Sequence, residues 1–381
     1  MISKIFLALA VAWFAISCRG ETTIDSRAAV ATSAAVAATN VAAGSTARTR
    51  WSESFLGRKP AWYASAEARE VAENVLQYQA DQGAWPKNTD LSVKPRSAEY
   101  LQEIRTGELA DTIDNGATTT PMRFIALMAQ ATGDEKYRAA FTRGLDYLFA
   151  AQYSNGGWPQ FFPLRPRGYY SHITYNDNAM INVMFVLRDV AAGKAPYEFV
   201  DKERQSKAAV AVAKGIDCIL KTQIKENGKL TAWCAQHDEK TFEPAWARNF
   251  EPPSLSGGES VGIVRFLMGE EHPTPEIIAA IEGAVTWFKA VPITGLRYQR
   301  GMAADGQRDG WVKADLAAGP LWARFYEIGS NRPIFMGRDK VVHYSFEEIE
   351  RERRAGYDYY GNWPAKLLEQ DYPNWRAKNK R

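Results

Sequence analysis

The sequence predicts a protein dominated by α-helices, which pair into hairpins and stack into a ring of the α/α toroid class. Two observations support this prediction. Apolar residues recur at helical spacing in many segments, and a short motif repeats at an interval that fits one helical hairpin with its loops. Alternating patterns that indicate strands are scarce, so only a few short strands are expected.

The helical pattern is clearest in eight segments that Gly or Pro residues separate. The segments are Pro121–Ala131, Glu135–Ala151, Ala179–Val190, Ser206–Thr222, Glu259–Met268, Pro275–Ala290, Ala318–Ile328 and Phe346–Ala355. The chain has 381 residues, of which 46% are apolar, and this is enough to bury a large core.

The repeated motif joins a Gln to a Trp that follows a helix. Gln79 stands six residues before Trp85, and Gln152 stands six residues before Trp158. A looser third copy ends at Trp233, so the Trp residues are 73 and 75 residues apart. Stacked helical hairpins bury their faces against their neighbours and can close into a ring. The alternative is a set of unrelated helix-capping turns.

The first 50 residues predict export. Residues 1–17 contain Lys4 and then twelve apolar residues from Ile5 to Ile16, which is typical of a signal peptide and too short to span a bilayer. Residues 18–50 are rich in Ala, Thr and Ser and are interpreted as a flexible spacer. Cys18 fits either a bacterial lipoprotein box, in which it would carry lipid, or an ordinary signal cut nearby. A secreted, periplasmic or envelope-anchored protein is expected, with a folded domain at 51–381.

The overall charge and the metal-binding residue types exclude several classes of protein. A formal net charge of +3 indicates neither a nucleic-acid binder nor a membrane-surface protein. The four histidines lack HxH or HExxH spacing, which argues against a zinc hydrolase. Cys218 and Cys234 form no disulfide framework that can be recognised from the sequence.

Two helix starts carry carboxylates among amides. Asp114 lies in TIDNGAT and Asp177 in TYNDNAM. Asp and Asn at such positions are typical N-caps, which satisfy free backbone N–H groups. Oxygen-rich clusters from two separate loops are also what Ca²⁺ requires, because this hard cation takes several carboxylate and carbonyl ligands. Both roles remain open.

A second group of candidates consists of arginines among aromatic residues: Arg248, Arg324, Arg332 and Arg338. The planar guanidinium group binds a carboxylate through two hydrogen bonds, and neighbouring aromatic rings offer flat faces for sugar rings. A carboxylated sugar polymer would suit both features. Surface ion pairs and cation–π contacts are the alternative for each of these residues.

Six ordered motifs between Trp51 and Leu368 resemble the family 10 pectate lyases of bacteria. The motifs are TIDNGAT, QYSNGGWPQFFPL, TYNDNAM, LTAWCAQHD, SLSGGESVG and FYEIGSNRPIFMGRD. The resemblance implies a partial α/α toroid with long irregular loops and an active-site cleft across it. It also implies a calcium-assisted β-elimination that cleaves polygalacturonate. Independently of the resemblance, a monomer is expected.

The resemblance assigns roles to individual residues. Asp114 and Asp177 match positions that bind calcium and substrate carboxylate, Arg338 matches the catalytic base, Arg248 and Arg324 match arginines that hold uronates, and Asn115 and Lys87 are further substrate contacts. Guanidinium has a pKa above about 12, so Arg338 can act as a base only if its cation is disfavoured. Crowding by other arginines and Ca²⁺ would have that effect and predicts an alkaline optimum.

Two other functions are compatible with the residues alone. Asp114 and Asp177 could serve as acid and base of an inverting glycoside hydrolase, since such enzymes place two carboxylates around a sugar. A non-catalytic surface protein that binds pectin would also explain the export signal, the spacer and the aromatic residues. The product separates these functions, because only a lyase leaves an unsaturated uronide.

Overall fold

The computed structural model describes residues 49–166 and 168–379. The predicted signal peptide, Cys18 and nearly all of the predicted spacer lie outside these residues. Within the described chain, no helix combines the length and the apolar character that crossing a membrane requires.

Helices form most of the regular structure, and strands are few and short, as predicted. The helices are α1 (Ala66–Gln77), α2 (Ala98–Thr106), α3 (Thr119–Thr132), α4 (Glu135–Ala151), α5 (Ala179–Ala191), α6 (Lys202–Thr222), α7 (Glu259–Met268), α8 (Pro275–Ala290), α9 (Arg351–Gly356), α10 (Trp363–Lys366) and α11 (Tyr372–Lys378). The predicted bounds of α4, α7 and α8 are confirmed, and those of α3, α5 and α6 differ by at most four residues.

The longer helices form three consecutive pairs, α3 with α4, α5 with α6, and α7 with α8. The first helices of the pairs also pack on one another, α3 on α5 and α5 on α7, so the pairs stack side by side. Most residues of α5 are buried, whereas α6 buries one stripe at intervals of three or four residues, including Ala208, Ala211, Gly215 and Cys218. We call α3, α5 and α7 the inner helices and α4, α6 and α8 the outer helices.

The three copies of the Gln–Trp motif make equivalent contacts, so the predicted repeat is confirmed. Each Trp is buried, and its indole N–H donates at 2.8 Å to a carbonyl of the preceding helix: Trp85 to Val75, Trp158 to Leu148 and Trp233 to Ile219. Each Gln amide donates to its own turn and to the next outer helix: Gln79 to Gly83 and Ala140, Gln152 to Gly156 and Ala211, and Gln223 to Thr231 and Ala280. The motif therefore ties each turn to the following helical pair.

The glycines of the motif allow this close approach. Gly83 and Gly156 have φ values of +101° and +93°, which side-chain-bearing residues rarely adopt. A Cβ atom on Gly83 would lie 2.3 Å from the carbonyl oxygen of Arg143, and one on Gly156 would lie 2.0 Å from that of Lys214. The turns can contact the outer helices only with glycine at these positions.

The strands form two-stranded antiparallel pairs throughout the described residues. They are β1 (Ile173–Thr174), β2 (Lys225–Glu226), β3 (Lys229–Leu230), β4 (Gln236–His237), β5 (Leu255–Ser256), β6 (Leu296–Met302), β7 (Arg308–Ala314), β8 (Trp322–Ala323), β9 (Phe325–Tyr326), β10 (Phe335–Met336), β11 (Val342–His343) and β12 (Tyr360–Gly361). The pairs are β1 with β4, β2 with β3, β5 with β9, β6 with β7, β8 with β12, and β10 with β11.

The predicted helix Ala318–Ile328 is wrong. Trp322, Phe325 and Tyr326 have the spacing of a helical face, but they lie in β8 and β9, which pair with two different strands and are buried. Only Arg324 separates the two strands. The predicted helix Phe346–Ala355 is observed as a 3₁₀ turn at Phe346–Glu348 followed by α9.

Candidate active site

The inner helices begin next to one another, and their N-terminal turns carry carboxylates. Asp114 lies in a single turn before α3, Asp177 in a single turn before α5, and Glu259 is the first residue of α7. The turn at Asp114–Gly116 packs against the turn at Asn176–Asn178, which also packs against α7. Helix N-termini carry partial positive charge, so this end of the stack attracts anions.

Neither aspartate acts as an N-cap, a role that the sequence also allowed. The residues at the cap positions of α3 and α5 are Thr118 and Asn178, and neither side chain accepts a helical N–H. Outer helices, in contrast, have side-chain caps, such as Asp134 before α4 and Asp201 before α6. The carboxylates of Asp114 and Asp177 are therefore directed to other partners.

A cavity of ≈ 140 Å³ brings both aspartates together. Its lining residues are Lys87, Asn88, Asp114, Asn115, Gln160, Tyr169, Asn176, Asp177, Gln236, Arg248 and Glu251. Five of the seven predicted site residues thus surround one space: both aspartates, Arg248, Asn115 and Lys87.

The two aspartates have different partners in this cavity. Lys87 Nζ lies 2.7 Å from Asp114 Oδ2, whereas the buried Oδ1 atom of Asp114 has no hydrogen-bond partner among the described residues. Asp177 accepts from Asn176 Nδ2 at 2.8 Å and from Arg324 Nη2 at 3.1 Å. Asp114 therefore has one free oxygen, and both oxygens of Asp177 are engaged.

Arg324 lies behind Asp177 and is 9% exposed. Its Nη2 atom also donates to Asn176 Oδ1 at 3.1 Å and to Glu259 Oε1. Burial alone would lower the pKa of Arg324, but the charges of Glu259 and Asp177 outweigh this effect and raise it. The β8 and β9 strands fix the backbone of Arg324, whose N–H donates to the Tyr359 carbonyl at 2.7 Å.

Arg248 forms a forked ion pair with Glu251. Its Nε donates to Oε2 at 2.7 Å and its Nη2 to Oε1 at 2.5 Å, and the Tyr357 hydroxyl donates to Oε1 at 2.8 Å. Burial opposes ionisation of both groups, yet the contact raises the pKa of Arg248 and lowers the pKa of Glu251. Arg248 remains a cation with one edge of its guanidinium occupied.

Arg338 is a predicted site residue that lies outside the first cavity and is exposed to solvent. Its side chain is 59% exposed and contacts Glu352, with Nε donating at 3.1 Å and Nη2 at 3.2 Å. It lines neither the 140 Å³ cavity nor the second cavity described below. Arg338 and Arg248 contact the same aromatic ring. The guanidinium group of Arg338 lies 5.9 Å from the centre of the Phe250 ring, and that of Arg248 lies 4.8 Å from it.

The electrostatic environment of Arg338 differs from the one expected. Hydrogen bonding to Glu352 raises the pKa of Arg338, and the charge of Arg248 opposes this only as a smaller effect. Glu352 is strongly acidic, with its pKa lowered to about 2, first by Arg353 and then by Arg338. In this arrangement the cation of Arg338 is favoured.

A second cavity of ≈ 180 Å³ adjoins the first through their shared lining residue Asp177. It is also lined by Glu259, Arg324, Asp358 and Trp363. Charged groups next to an indole ring offer both a carboxylate partner and a flat apolar face. The two cavities together form a polar groove along the N-terminal ends of the inner helices.

Several residues of this groove were not predicted from the sequence. Glu251 forms an ion pair with Arg248, and Glu259 forms one with Arg324. Glu259 lies in the motif SLSGGESVG. Gln160, Tyr169 and Gln236 line the first cavity, and Gln160 lies in the quoted motif QYSNGGWPQFFPL. A carboxylate three residues after Arg248 was the available signal for Glu251.

A larger cavity of ≈ 950 Å³ lies between α6, the β2–β3 hairpin and α8. Leu220, Ile224 and Phe242 line it, and none of the predicted site residues does. Size alone therefore does not identify the site. The smaller groove contains the clustered charges.

Comparisons with known proteins identify related lyases. A family profile described as pectic acid lyase matches residues 79–368. The structure is similar to a family 10 polysaccharide lyase from Cellvibrio cellulosa, with 35% identity, a TM-score of 0.70, and coverage of 84% of this chain and 95% of that chain. It is also similar to a mutant of that lyase in complex with trigalacturonic acid, with 33% identity, a TM-score of 0.71, and coverage of 87% and 100%.

The comparison with curated proteins found no match. The profile nevertheless spans most of the chain, and it includes both aspartates and all three arginines of the predicted site. The match favours a lyase over the hydrolase and the non-catalytic binder that the residues alone left open. The chain belongs to the pectic acid lyase family and is a family 10 pectate lyase.

Proposed function

We propose that this lyase cleaves polygalacturonate in the groove formed by the two cavities, through calcium-assisted β-elimination. The observation that supports this most directly is the position of Asp114 and Asp177. They are remote in sequence, yet they line one cavity beside Lys87 and Arg248. The relative whose title names a complex with trigalacturonic acid supports a galacturonate polymer as substrate.

We interpret the stacked pairs as a partial α/α toroid. The packing of α3 on α5 and of α5 on α7 gives the inner layer, and the outer helices cover it. In such an arrangement the N-terminal ends of the inner helices meet at one end of the ring. That is where the groove lies.

The donor set of the first cavity fits a Ca²⁺ ion. Hard cations of this size take six to eight oxygen ligands from carboxylates, amide carbonyls and water. The cavity lining offers the carboxylates of Asp114 and Asp177 and several amide side chains. The unpaired Oδ1 of Asp114 is a buried anionic oxygen without a donor, and a cation would satisfy it.

The arginines and Lys87 would hold the substrate. Uronate carboxylates pair well with guanidinium groups, and the Nη1 atom of Arg248 is not used by Glu251. Arg324, bound to Asp177 and Glu259, would act at the second cavity. Asn115 and Lys87 border the first cavity and would contact the sugar hydroxyls or the carboxylate.

The reaction removes the proton at C5 of a galacturonate residue, which is α to its carboxylate. The C5–H electron pair forms a C4–C5 double bond, the bond between C4 and the glycosidic oxygen breaks, and that oxygen leaves with a proton from solvent. A bound Ca²⁺ ion would supply Lewis-acid stabilisation of the charge on the carboxylate. The cationic side chains would stabilise the same charge without changing their protonation state.

We assign the base role to Arg338 by family resemblance. Its exposure leaves it free to reorient toward the groove, and the shared Phe250 ring places it beside Arg248. Its ion pair with Glu352 must first be exchanged for contacts with substrate, because that pair favours the cation. Once Glu352 is displaced, a neighbouring Arg248 disfavours the charge on Arg338.

The test is incubation of the purified protein with polygalacturonate, with and without EGTA. The proposal predicts ultraviolet absorbance from the unsaturated product, which EGTA abolishes and added CaCl₂ restores. Cleavage that produces reducing ends without this absorbance would contradict elimination. Elimination that continues in EGTA would contradict the role of calcium.

We also propose that the protein is exported, on the basis of residues 1–17 and the spacer. We propose further that it acts as a monomer. Cys18 would be lipidated if its surroundings act as a lipoprotein box. Labelling of cells with radioactive palmitate, compared between wild type and Cys18→Ser, distinguishes an envelope anchor from a secreted form. Size-exclusion chromatography with light scattering measures the oligomeric state.

A further inference from the structure

Gln160 has a buried amide group that makes no hydrogen bond within the described part of the chain. It is 3% exposed, it lines the first cavity, and its Oε1 atom has no partner. The amide nitrogen has none either, so exchanging the oxygen and nitrogen positions would not satisfy the group. Buried polar atoms are nearly always paired, and an unpaired one calls for an explanation such as a ligand.

The backbone of Gln160 is fixed firmly, so the position of its side chain is not incidental. Its carbonyl accepts from Ile113 N at 3.2 Å and from Thr112 Oγ1 at 2.7 Å, and its N–H donates to the Tyr170 carbonyl at 3.0 Å. Ile113 directly precedes Asp114. The hydrogen bonds therefore hold Gln160 in register with the turn that carries the calcium-binding aspartate.

The same segment also reaches the second aspartate turn. Thr174 N donates to the carbonyl of Trp158 at 3.1 Å, and Thr174 lies three residues before Asp177. Residues 158–160 thus connect the two turns that bear carboxylates. An amide placed between them is in a position to complete a shared ligand set.

The unpaired atoms and the charges indicate which ligand fits. Oδ1 of Asp114 and Oε1 of Gln160 are both buried acceptors without donors, and they line the same cavity. Three carboxylates, Asp114, Asp177 and Glu251, face two cations in its lining, so one negative charge is in excess. A cation satisfies two acceptors at once and offsets this charge, and amide carbonyl oxygens are regular Ca²⁺ ligands.

We propose that Gln160 Oε1 is, together with Asp114 Oδ1, a ligand of the calcium ion. This inference rests on the calcium part of the proposed function. Gln160 would then bind the metal, in addition to packing in the wall of the groove. This role also predicts that the charge at position 160 controls calcium affinity.

The test is calorimetric titration of EGTA-treated protein with CaCl₂, alone and with saturating D-galacturonate, which has no glycosidic bond to cleave. Gln160→Met keeps the length of the side chain and removes the oxygen, and it should weaken the calcium Kd by about tenfold. Gln160→Glu places a carboxylate there and should tighten the Kd. The exposed Gln307, on the β6–β7 hairpin, provides the matched control Gln307→Met, with an unchanged Kd.

Thermal melting in EGTA separates binding from folding. Gln160→Met should melt at or above the wild-type temperature in EGTA, because an unpaired buried polar group has been replaced by an apolar one. Gln160→Glu should melt below wild type in EGTA and recover with CaCl₂. A calcium-dependent rise in Tm that is smaller for Gln160→Met than for wild type supports the inference.

The outcomes distinguish this inference from the proposed function. If wild type binds calcium and Asp114→Asn weakens binding, while neither Gln160 variant changes the Kd, then Gln160 is not a ligand and the calcium site stands. A Gln160 variant that changes only the KM for polygalacturonate would overturn the inference in favour of a sugar-binding amide. If wild type binds no calcium in either condition, both proposals fail.

Discussion

Asn115 and Asp177 share one backbone conformation, with φ and ψ of 51° and 29° in Asn115 and of 51° and 31° in Asp177. Each is the central residue of the short turn before an inner helix. Aligning the turns on this residue places Asp114 opposite Asn176, so the two aspartates occupy different positions of equivalent turns. The carboxylates therefore approach the cavity from inequivalent points, which suits two different roles.

Asp177→Asn should reduce kcat/KM on polygalacturonate by about 100-fold or more, because it removes one negative charge from the proposed calcium and substrate site. Asn is the suitable replacement, since it tolerates the left-handed conformation that Ala would strain. Arg324 retains Glu259 as a partner in this variant. Initial rates of absorbance increase measure the effect.

A matched control for that variant is Asp217→Asn on the outer helix α6, where the carboxylate pairs with Lys221 on the surface. It should leave the rate unchanged. Equal Tm values for wild type and Asp177→Asn would assign the loss to chemistry or binding. A variant that retains more than half of the wild-type activity would remove Asp177 from the site.

Glu352→Gln should shift the rising limb of the pH–rate profile to lower pH. Glu352 raises the pKa of Arg338 by hydrogen bonding, so its removal lowers that pKa. A general base acts in its deprotonated form, so the rate rises as the pH rises through the pKa of the base. A lower pKa therefore moves this rise in rate to lower pH. Values of kcat/KM measured across the alkaline range give the shift.

Glu347→Gln is the control, because Glu347 lies on the same segment but its carboxylate bonds to Ser345. Its profile should match that of wild type. The assignment of Arg338 as base is rejected if Arg338→Lys retains near-normal turnover with an unchanged profile. An unshifted limb in Glu352→Gln would show that the ion pair is already broken in the working enzyme.

His237 should make the protein less stable in acid. It is fully buried, with Nδ1 placed 2.8 Å from the Phe242 carbonyl and Nε2 accepting from Cys234 N at 3.1 Å. Burial lowers its pKa to about 4. Between its unfolded value of about 6.5 and 4, only the unfolded chain binds the proton, so stability falls as the pH falls through this range.

Between pH 6.5 and 4 the contribution of His237 to the slope should approach about 1.4 kcal/mol per pH unit, and it vanishes above and below this range. Urea unfolding of wild type and of His237→Gln between pH 7 and 4 measures it. Gln retains one donor and one acceptor but does not titrate. The stability difference between the two proteins should therefore shrink as the pH falls, and a constant difference would contradict a neutral buried histidine.

Gln152→Met should destabilise the fold by about 1–3 kcal/mol in urea unfolding, because it leaves the carbonyls of Gly156 and Ala211 without their donor. Gln307→Met, at an exposed position, should change stability by less than about 0.5 kcal/mol. The same substitution at Gln79 should cost at least as much, since Gln79 makes the two equivalent donations and also accepts from Arg143 Nη2. A large effect at only one of the two would contradict equivalent repeats.

The sequence was most informative where local pattern and tertiary contact agree. The outer helices α4 and α8 were predicted to the residue because apolar periodicity, caps and packing all indicate the same bounds. The Gln–Trp motif was predictive because it is itself the contact between pairs. The convergence of Asp114 and Asp177 followed from their motifs and is observed in the first cavity.

Other features could not be predicted because they depend on contacts between distant segments. Trp322 and Tyr326 have helical spacing, but pairing with β12 and β5 makes strands of their segment. The β6–β7 hairpin is mostly exposed, so its alternation of polar and apolar residues is weak. The partners of Arg324 and Arg338 are carboxylates in other parts of the chain, and a single sequence does not reveal such pairs.

The three inner-helix turns come from separate helical pairs, and Arg324 adds a fourth segment much later in the chain. A nascent polypeptide that has not yet reached residue 324 lacks the cation that holds Asp177, and a proteolytic fragment from either half would carry only part of the groove. Cleavage of polygalacturonate therefore requires the complete folded chain, and incomplete chains should be inactive.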